Sequence, residues 1–148
     1  MILASASETT AIGERLAGLA AGGDAVALVG DLGAGKTTLV AGLAAGLGAA
    51  TAASPTFSLV NEYRGGRLIV WHVDLYRIER AAELVELGLD DLIGDRRGIV
   101  VIEWADKFGV MPPDHLRLEL AHIPEGRRLD ATGTGPRGLA LAAALGSP

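Results

Sequence analysis

Apolar positions along this chain switch between helical and strand-like spacing, and the switches divide it into elements. Over residues 7–19, Ile12, Leu16 and Leu19 recur at helical spacing behind Ser7, a residue type suited to capping, so a short amphipathic helix is expected first. Gly22 and Gly23 end it. Ala25 to Val29 is a short apolar run bounded by glycines, which reads as a buried strand. After a Gly-rich turn, Leu39, Leu43 and Leu47 fall on one stripe of a helix predicted from about Thr37 to Leu47.

Further along, residues 58–63 and 68–74 are strand-like and are separated by Arg64, Gly65, Gly66 and Arg67, the signature of a hairpin, so the sheet should be mixed. From Ala81 to Ile93 the spacing predicts one amphipathic acidic helix, with Ala81, Leu84, Val85 and Leu92 facing inward and Glu83, Glu86, Asp90 and Asp91 facing elsewhere. Ile99 to Ile102 is a second wholly apolar strand. His115 to Ile123 alternates Leu116, Leu118 and Leu120 with polar residues, and Arg128 to Thr134 is expected to pair with it across Pro124–Arg127. A helix of small residues, about Arg137 to Leu145, completes the pattern. There is no internal repeat and no dividing linker, so residues 1–148 are expected to form one domain.

Composition narrows the classes. A chain of 148 residues with 49% hydrophobic and 21% charged side chains can bury one sizeable core. Its 13 Lys and Arg against 18 Asp and Glu give a net charge of −5, which argues against holding RNA on a broad basic surface; any nucleic acid is expected to be reached through a partner. The absence of cysteine excludes disulfides and thiolate metal sites and is compatible with a reducing cytoplasm. Residues 1–7 lack the basic start and long apolar run of a signal peptide, so the mature chain should begin near Met1. The stretch from Thr37 to Asn61 carries no charge, but its Ala, Gly, Thr, Ser and Pro55 content describes a buried helix followed by a loop rather than a membrane span.

Candidate chemistry centres on Gly30-Asp31-Leu32-Gly33-Ala34-Gly35-Lys36-Thr37, which matches G-x-x-x-x-G-K-[ST] between a predicted strand and a predicted helix. Its glycines let the backbone curl so that N–H groups from about Gly33 through Ala34 and Gly35 to Thr38 point at phosphate oxygens beside the helix N-terminus. Lys36 would add a mobile positive charge, and Thr37 a hydroxyl for Mg²⁺, a hard cation that keeps water and phosphate oxygens as its other ligands. Asp31 must then point away from the phosphates. With the element pattern, this motif predicts an α/β fold of the P-loop NTPase-like kind, three layers around a mixed, partly antiparallel central sheet. ATP and Mg²⁺ are the expected cofactors.

Turnover requires an acid for Mg²⁺ and a group that positions water or another acceptor. Asp74 ends one strand and shares a face with His72 by the two-residue period; Glu103 ends another, where a metal-site acid would lie if its strand neighbours the phosphate-loop strand. Equally, Asp74 can cap a following turn and Glu103 can sit in a surface ion pair. His72 is better placed to orient a neighbour than to act as base. Ser54-Pro55-Thr56-Phe57 is either an ordinary loop or a segment responsive to the γ-phosphate, in which Thr56 would contact Mg²⁺ or its water. Trp104 would either shield the site or belong to the core. Arg96 and Arg97 offer a modest lid for a small-molecule kinase, and a non-catalytic ATP-dependent switch would use nearly the same residues. No arginine carries the mark of a charge-neutralising finger, Arg77 being the nearest, so slow hydrolysis by the chain alone is expected.

The blocks GDLGAGKTT (30–38), SPTFSLV with Tyr63 (54–63), HVDLYR (72–77) and EW (103–104), in this order and spacing, resemble the TsaE (YjeE) family over nearly the whole chain. The resemblance implies an ATPase required for threonylcarbamoyl modification of adenosine 37 in tRNAs reading codons that start with A. It implies work alongside the TsaD and TsaB proteins, with hydrolysis resetting their complex. By position, Lys36 and Thr37 would bind phosphates and Mg²⁺, Thr56 would belong to the switch, Asp74 would serve the metal, Glu103 the metal or water, and Trp104 would flank the nucleotide. Ser58, Ala41 and Ala105 depart from the family pattern, and Ala41 removes a basic residue that relatives often carry on this helix.

Overall fold

The computed structural model describes residues 1–31, 33–51 and 59–146. Its elements run β1 (Ile2–Leu3), α1 (Ala6–Leu19), β2 (Ala25–Gly30), α2 (Lys36–Gly46), β3 (Ala50–Thr51), β4 (Val60–Arg64), β5 (Ile69–Asp74), α3 (Ala82–Leu87), α4 (Leu89–Leu92), β6 (Gly98–Glu103), β7 (His115–Ile123), β8 (Gly126–Thr134) and α5 (Gly135–Gly146), with a 3₁₀ turn at Ala105–Lys107. One eight-stranded sheet has the order β1-β8-β7-β2-β6-β5-β4-β3. Its centre, β7-β2-β6-β5, is parallel. Both margins are antiparallel. The sheet is therefore mixed, as the two hairpin signatures require.

Two apolar clusters cover its faces and make three layers. Val26 and Leu28 of β2, Val70, Ile99, Val101 and the β7 leucines meet Ile12 and Leu16 of α1, Leu39 and Leu43 of α2, and Leu141 and Leu145 of α5. The alternate residues Ala25, Ala27, Trp71, Val73, Val100 and Ile102 meet Leu75, Ile78, Leu89 and Ala105 on the other face. Strands buried on both sides explain why β2 and β6 read as continuous apolar runs. Helices α1 and α2 pack backbone to backbone, since a Cβ on Gly13 would lie 2.2 Å from the Leu39 carbonyl oxygen and one on Gly42 2.3 Å from that of Thr10.

Three expectations change. Ser5, not Ser7, caps α1: its Oγ accepts from the Glu8 N–H at 3.3 Å while the Glu8 carboxylate accepts from the Ala4 N–H, a reciprocal pairing of the capping-box kind. The acidic helix at 81–93 is two short helices, because Gly88 adopts φ 72° and breaks the first of them. Val85 faces outward, 79% exposed, and of the residues in these two helices Leu89 is the buried one. The second hairpin turns tightly at Pro124–Glu125, so β8 begins at Gly126 rather than at Arg128.

Candidate functional site

The phosphate loop follows β2 and ends at the N-terminus of α2, where Gly35 takes φ 104°, a conformation costly for any residue with a Cβ. No side chain caps this N-terminus and no acid lies in its first turn. Its first N–H groups have no helical carbonyl to bind and face a cleft of ≈ 650 Å³ lined by Gly33, Gly35, Lys36, Thr37, Thr38, Asp74, Tyr76, Glu103 and Trp104. An uncapped helix end with glycine at its entry and a lysine beside it suits an anion. The Ala34 N–H is engaged within the loop by the Asp31 carbonyl at 3.0 Å, whereas the N–H groups of the first turn of α2 have no carbonyl within the helix to bind. Asp31 is exposed and is itself among the residues lining the cleft.

Register brings the two acids together. Asp74 of β5 and Glu103 of β6 are Cα partners in a parallel ladder, and β6 neighbours β2, so both stand at the carboxyl end of the sheet beside the loop. Glu103 is only 7% exposed. Its Oε1 lies 3.0 Å from Lys36 Nζ and its Oε2 2.5 Å from His72 Nε2. Lys36 also donates to the Gly30 carbonyl at 2.6 Å. Burial pushes the Glu103 carboxyl up, but the hydrogen bond and charge of His72, and then those of Lys36, outweigh it and hold the group below the usual carboxylate value. A carboxylate fixed at both oxygens is anionic and aimed.

Asp74 differs: it is exposed, and its Oδ1 accepts from the Tyr76 N–H at 3.0 Å. It therefore caps the following turn while lining the cleft with Thr37. Trp104, 48% exposed, is not core; it is the one non-glycine with positive φ, 63°, among the described residues, and its ring lies 5.2 Å from that of Tyr76 at the cleft mouth. Thr56 and the SPTF block lie outside the described residues. Arg96 and Arg97 sit at the opposite end of the sheet, next to the start of β6, with Arg97 paired to Asp95; the lid expected of a kinase is not there. Arg77 is exposed after β5.

Among the described residues no group of three or more His, Cys, Asp or Glu is arranged to hold a metal ion. Mg²⁺ needs fewer protein ligands than that when phosphates and waters supply the rest, and a Thr37 hydroxyl and an exposed Asp74 carboxylate lining the same cleft fit that donor set. Sequence reasoning missed two features: Tyr76 as a partner for Trp104, and Arg127, which reaches the phosphate loop from β8. Tyr76 lies within the HVDLYR block, where its ring could have been weighed as a partner for Trp104, whereas Arg127 lies in no motif at all. No described helix is long and apolar enough to cross a membrane.

A three-layer α/β fold with a parallel core, a phosphate loop leading from a central strand into a helix, and an acid on the adjacent strand defines a P-loop NTPase-like protein. The family model described as "Threonylcarbamoyl adenosine biosynthesis protein TsaE" matches residues 3–129. A "tRNA threonylcarbamoyladenosine biosynthesis protein TsaE" from Nostoc sp. is 40% identical over 132 residues, 86% of this chain and 81% of that protein. The protein of the same name from Bacillus subtilis is 38% identical over 133 residues, 88% of this chain and 82% of its own length. The crystal structure of Bacillus subtilis YdiB superposes with a TM-score of 0.77 at 32% identity, covering 97% of this chain and 90% of that one. The chain belongs to the TsaE family.

Proposed function

We propose that this protein is a Mg²⁺-dependent ATPase of tRNA threonylcarbamoyladenosine synthesis that works with TsaD and TsaB and reaches tRNA through them. The observation that carries the reading is Glu103, buried, anionic and held between Lys36 and His72 at the edge of the phosphate-loop cleft. The N–H groups of Gly35 to Thr38 and the Lys36 ammonium would hold the phosphates, and Thr37 with Asp74 would hold Mg²⁺. The metal, when bound, neutralises charge developing on the phosphate oxygens. Lys36 now ties the Gly30 carbonyl to Glu103 Oε1. Pairing Lys36 with an anion would free Oε1 to accept a hydrogen bond from water, while His72 keeps Oε2 in place. Trp104 and Tyr76 would close the cleft mouth. Thr56 would serve the switch, as the family resemblance implies.

A positioned carboxylate without an arginine to neutralise the transferring group is a slow catalyst, so a partner is expected to accelerate it. The test is phosphate release by the purified chain, alone and with the cognate TsaD–TsaB pair. Release should rise on adding the pair, and depleting the chain should remove the modified adenosine from tRNA. Fast hydrolysis by the chain alone, or intact modification in depleted cells lacking any paralogue, would overturn the assignment.

A further inference from the structure

The phosphate loop is braced from a part of the chain that no motif marks. Arg127, the second residue of β8, donates from Nη2 to the Gly33 carbonyl at 3.1 Å, across 94 positions of sequence, and from Nη1 to the Gly126 carbonyl at 3.0 Å. Its strand end is itself fixed, because β8 begins hard against β1: a Cβ on Gly126 would lie 2.3 Å from the Leu3 carbonyl oxygen. The neighbouring strand also borders the loop, with Nε2 of His122, the ladder partner of Arg127, 3.8 Å from where a Cβ of Gly33 would be.

The peptide unit between Gly33 and Ala34 is thereby held at both ends, its C=O by Arg127 and its N–H by the Asp31 carbonyl. Because a trans peptide points its two polar groups in opposite directions, fixing this one sets the orientation from which the backbone enters Gly35 and the open N–H groups that follow. Behind the loop lies a cavity of ≈ 250 Å³ walled by Ser5, Thr9, Thr38 and Arg127 with Gly33 and Gly35. The Ala34 methyl is anchored in the apolar core, while the backbone of Gly33 and Gly35 beside it borders this cavity and has no side chain of its own to pack. A charge-assisted hydrogen bond to the Gly33 carbonyl restrains that backbone and adds positive charge near the anion site.

We propose that Arg127 is a positioning residue that holds the phosphate loop in its anion-accepting shape, a role that rests on the nucleotide-binding reading above. The test compares the full chain with Arg127→Ala for binding of Mg²⁺-ADP and of inorganic pyrophosphate, and for hydrogen exchange at the Ala34 amide without ligand. Removing one charged hydrogen bond should weaken both ligands by about tenfold and speed Ala34 exchange by a similar factor. Arg127→Lys, which keeps a charged donor, should recover most of both. If Arg127→Ala does not fold, Arg127→Met, which keeps the stem and loses the donor, is expected to give the same result. Unchanged affinities and exchange would overturn the proposal, and so would loss of ADP binding with pyrophosphate binding intact, which would place the guanidinium on the nucleoside. Failure of the unmodified chain to bind either ligand would instead overturn the nucleotide reading, while the exchange measurement would still decide whether Arg127 braces the loop.

Discussion

The ends of β5 and β6 lie side by side in register, each closing on a carboxylate, yet the two acids live in opposite surroundings. Glu103 is buried, tied at both oxygens to Lys36 and His72, and held below the usual carboxylate value. Asp74, its ladder partner, is exposed and spends one oxygen on the Tyr76 N–H. Burial between an ammonium and a hydrogen-bonding imidazole aims a carboxylate and keeps it charged, which suits a group acting on a single water. Exposure leaves a carboxylate able to exchange water ligands, which suits a hydrated cation such as Mg²⁺. One step across a sheet thus separates two environments that the residue types alone cannot assign, and the proposed function gives each its own duty.

The sharpest way to break that contrast is at the lysine that ties β6 to the start of the phosphate loop. Lys36→Ala is expected to weaken ATP binding by about a hundredfold or more, since it removes a charge-assisted contact from an anion site, while thermal unfolding without nucleotide shifts little. Calorimetric titration checks it, and equal affinity in the variant would remove the nucleotide reading. Next in size is Glu103→Gln, which keeps the side-chain shape and loses the charge. Turnover should fall by about 10²–10⁴, the range for losing a positioned base, with ATP affinity little changed. Asp74→Asn should act differently: the amide oxygen can still accept from Tyr76, so stability holds, while the Mg²⁺ concentration for half-maximal turnover rises by about tenfold. If Glu103→Gln shifted the Mg²⁺ requirement and Asp74→Asn did not, the two roles would be exchanged.

How far the sequence disclosed this arrangement depends on where the determining contacts lie. The double-sided burial of β2 and β6 was legible because both faces demand apolar residues, and the alternation of β7 was legible because half its residues face outward. Strands β1 and β3 are two residues long, too short for any period to appear. The helix at 81–93 was misread because its spacing looks continuous through Gly88, and only the left-handed backbone there reveals the break. At the site, the phosphate loop is local and declares itself. The Glu103–His72 contact spans 31 positions and the Arg127–Gly33 contact 94, so each depends on strand pairing that no single segment encodes.

Acid should expose the same asymmetry in stability. A carboxyl held below its ordinary value of 4.5 contributes stability that is fully present above that value and lost as pH falls through the lower folded value. Folding free energy measured by denaturant titration at falling pH should therefore drop more steeply below about pH 4.5 in the unmodified chain than in Glu103→Gln, which has no such proton to take up. Parallel curves for the two would show that the coupling to Lys36 and His72 carries no net stability.

The smallest effect is expected at Trp104, where two terms oppose each other. Holding a non-glycine residue at φ 63° costs on the order of 1–2 kcal/mol, which Trp104→Gly would relieve. The same change removes the tilted contact with Tyr76, worth roughly 0.5–1.5 kcal/mol, together with the half of the indole that is buried. Burial of half the indole adds roughly 2 kcal/mol to the loss, so relief of strain offsets only part of it, and the glycine variant should be less stable by about 1–2 kcal/mol and melt several degrees lower. Function should fall further than stability: if the strained backbone exists to set the indole at the cleft mouth beside Glu103, the glycine variant will bind ATP more weakly even at temperatures where it is fully folded. Trp104→Ala separates the terms, because it loses the ring and keeps most of the strain. It should be less stable than Trp104→Gly and no better at binding. A glycine variant destabilised by more than about 2 kcal/mol would mean that the indole serves packing after all, and unchanged nucleotide affinity would leave the strain at this strand end without a functional reason.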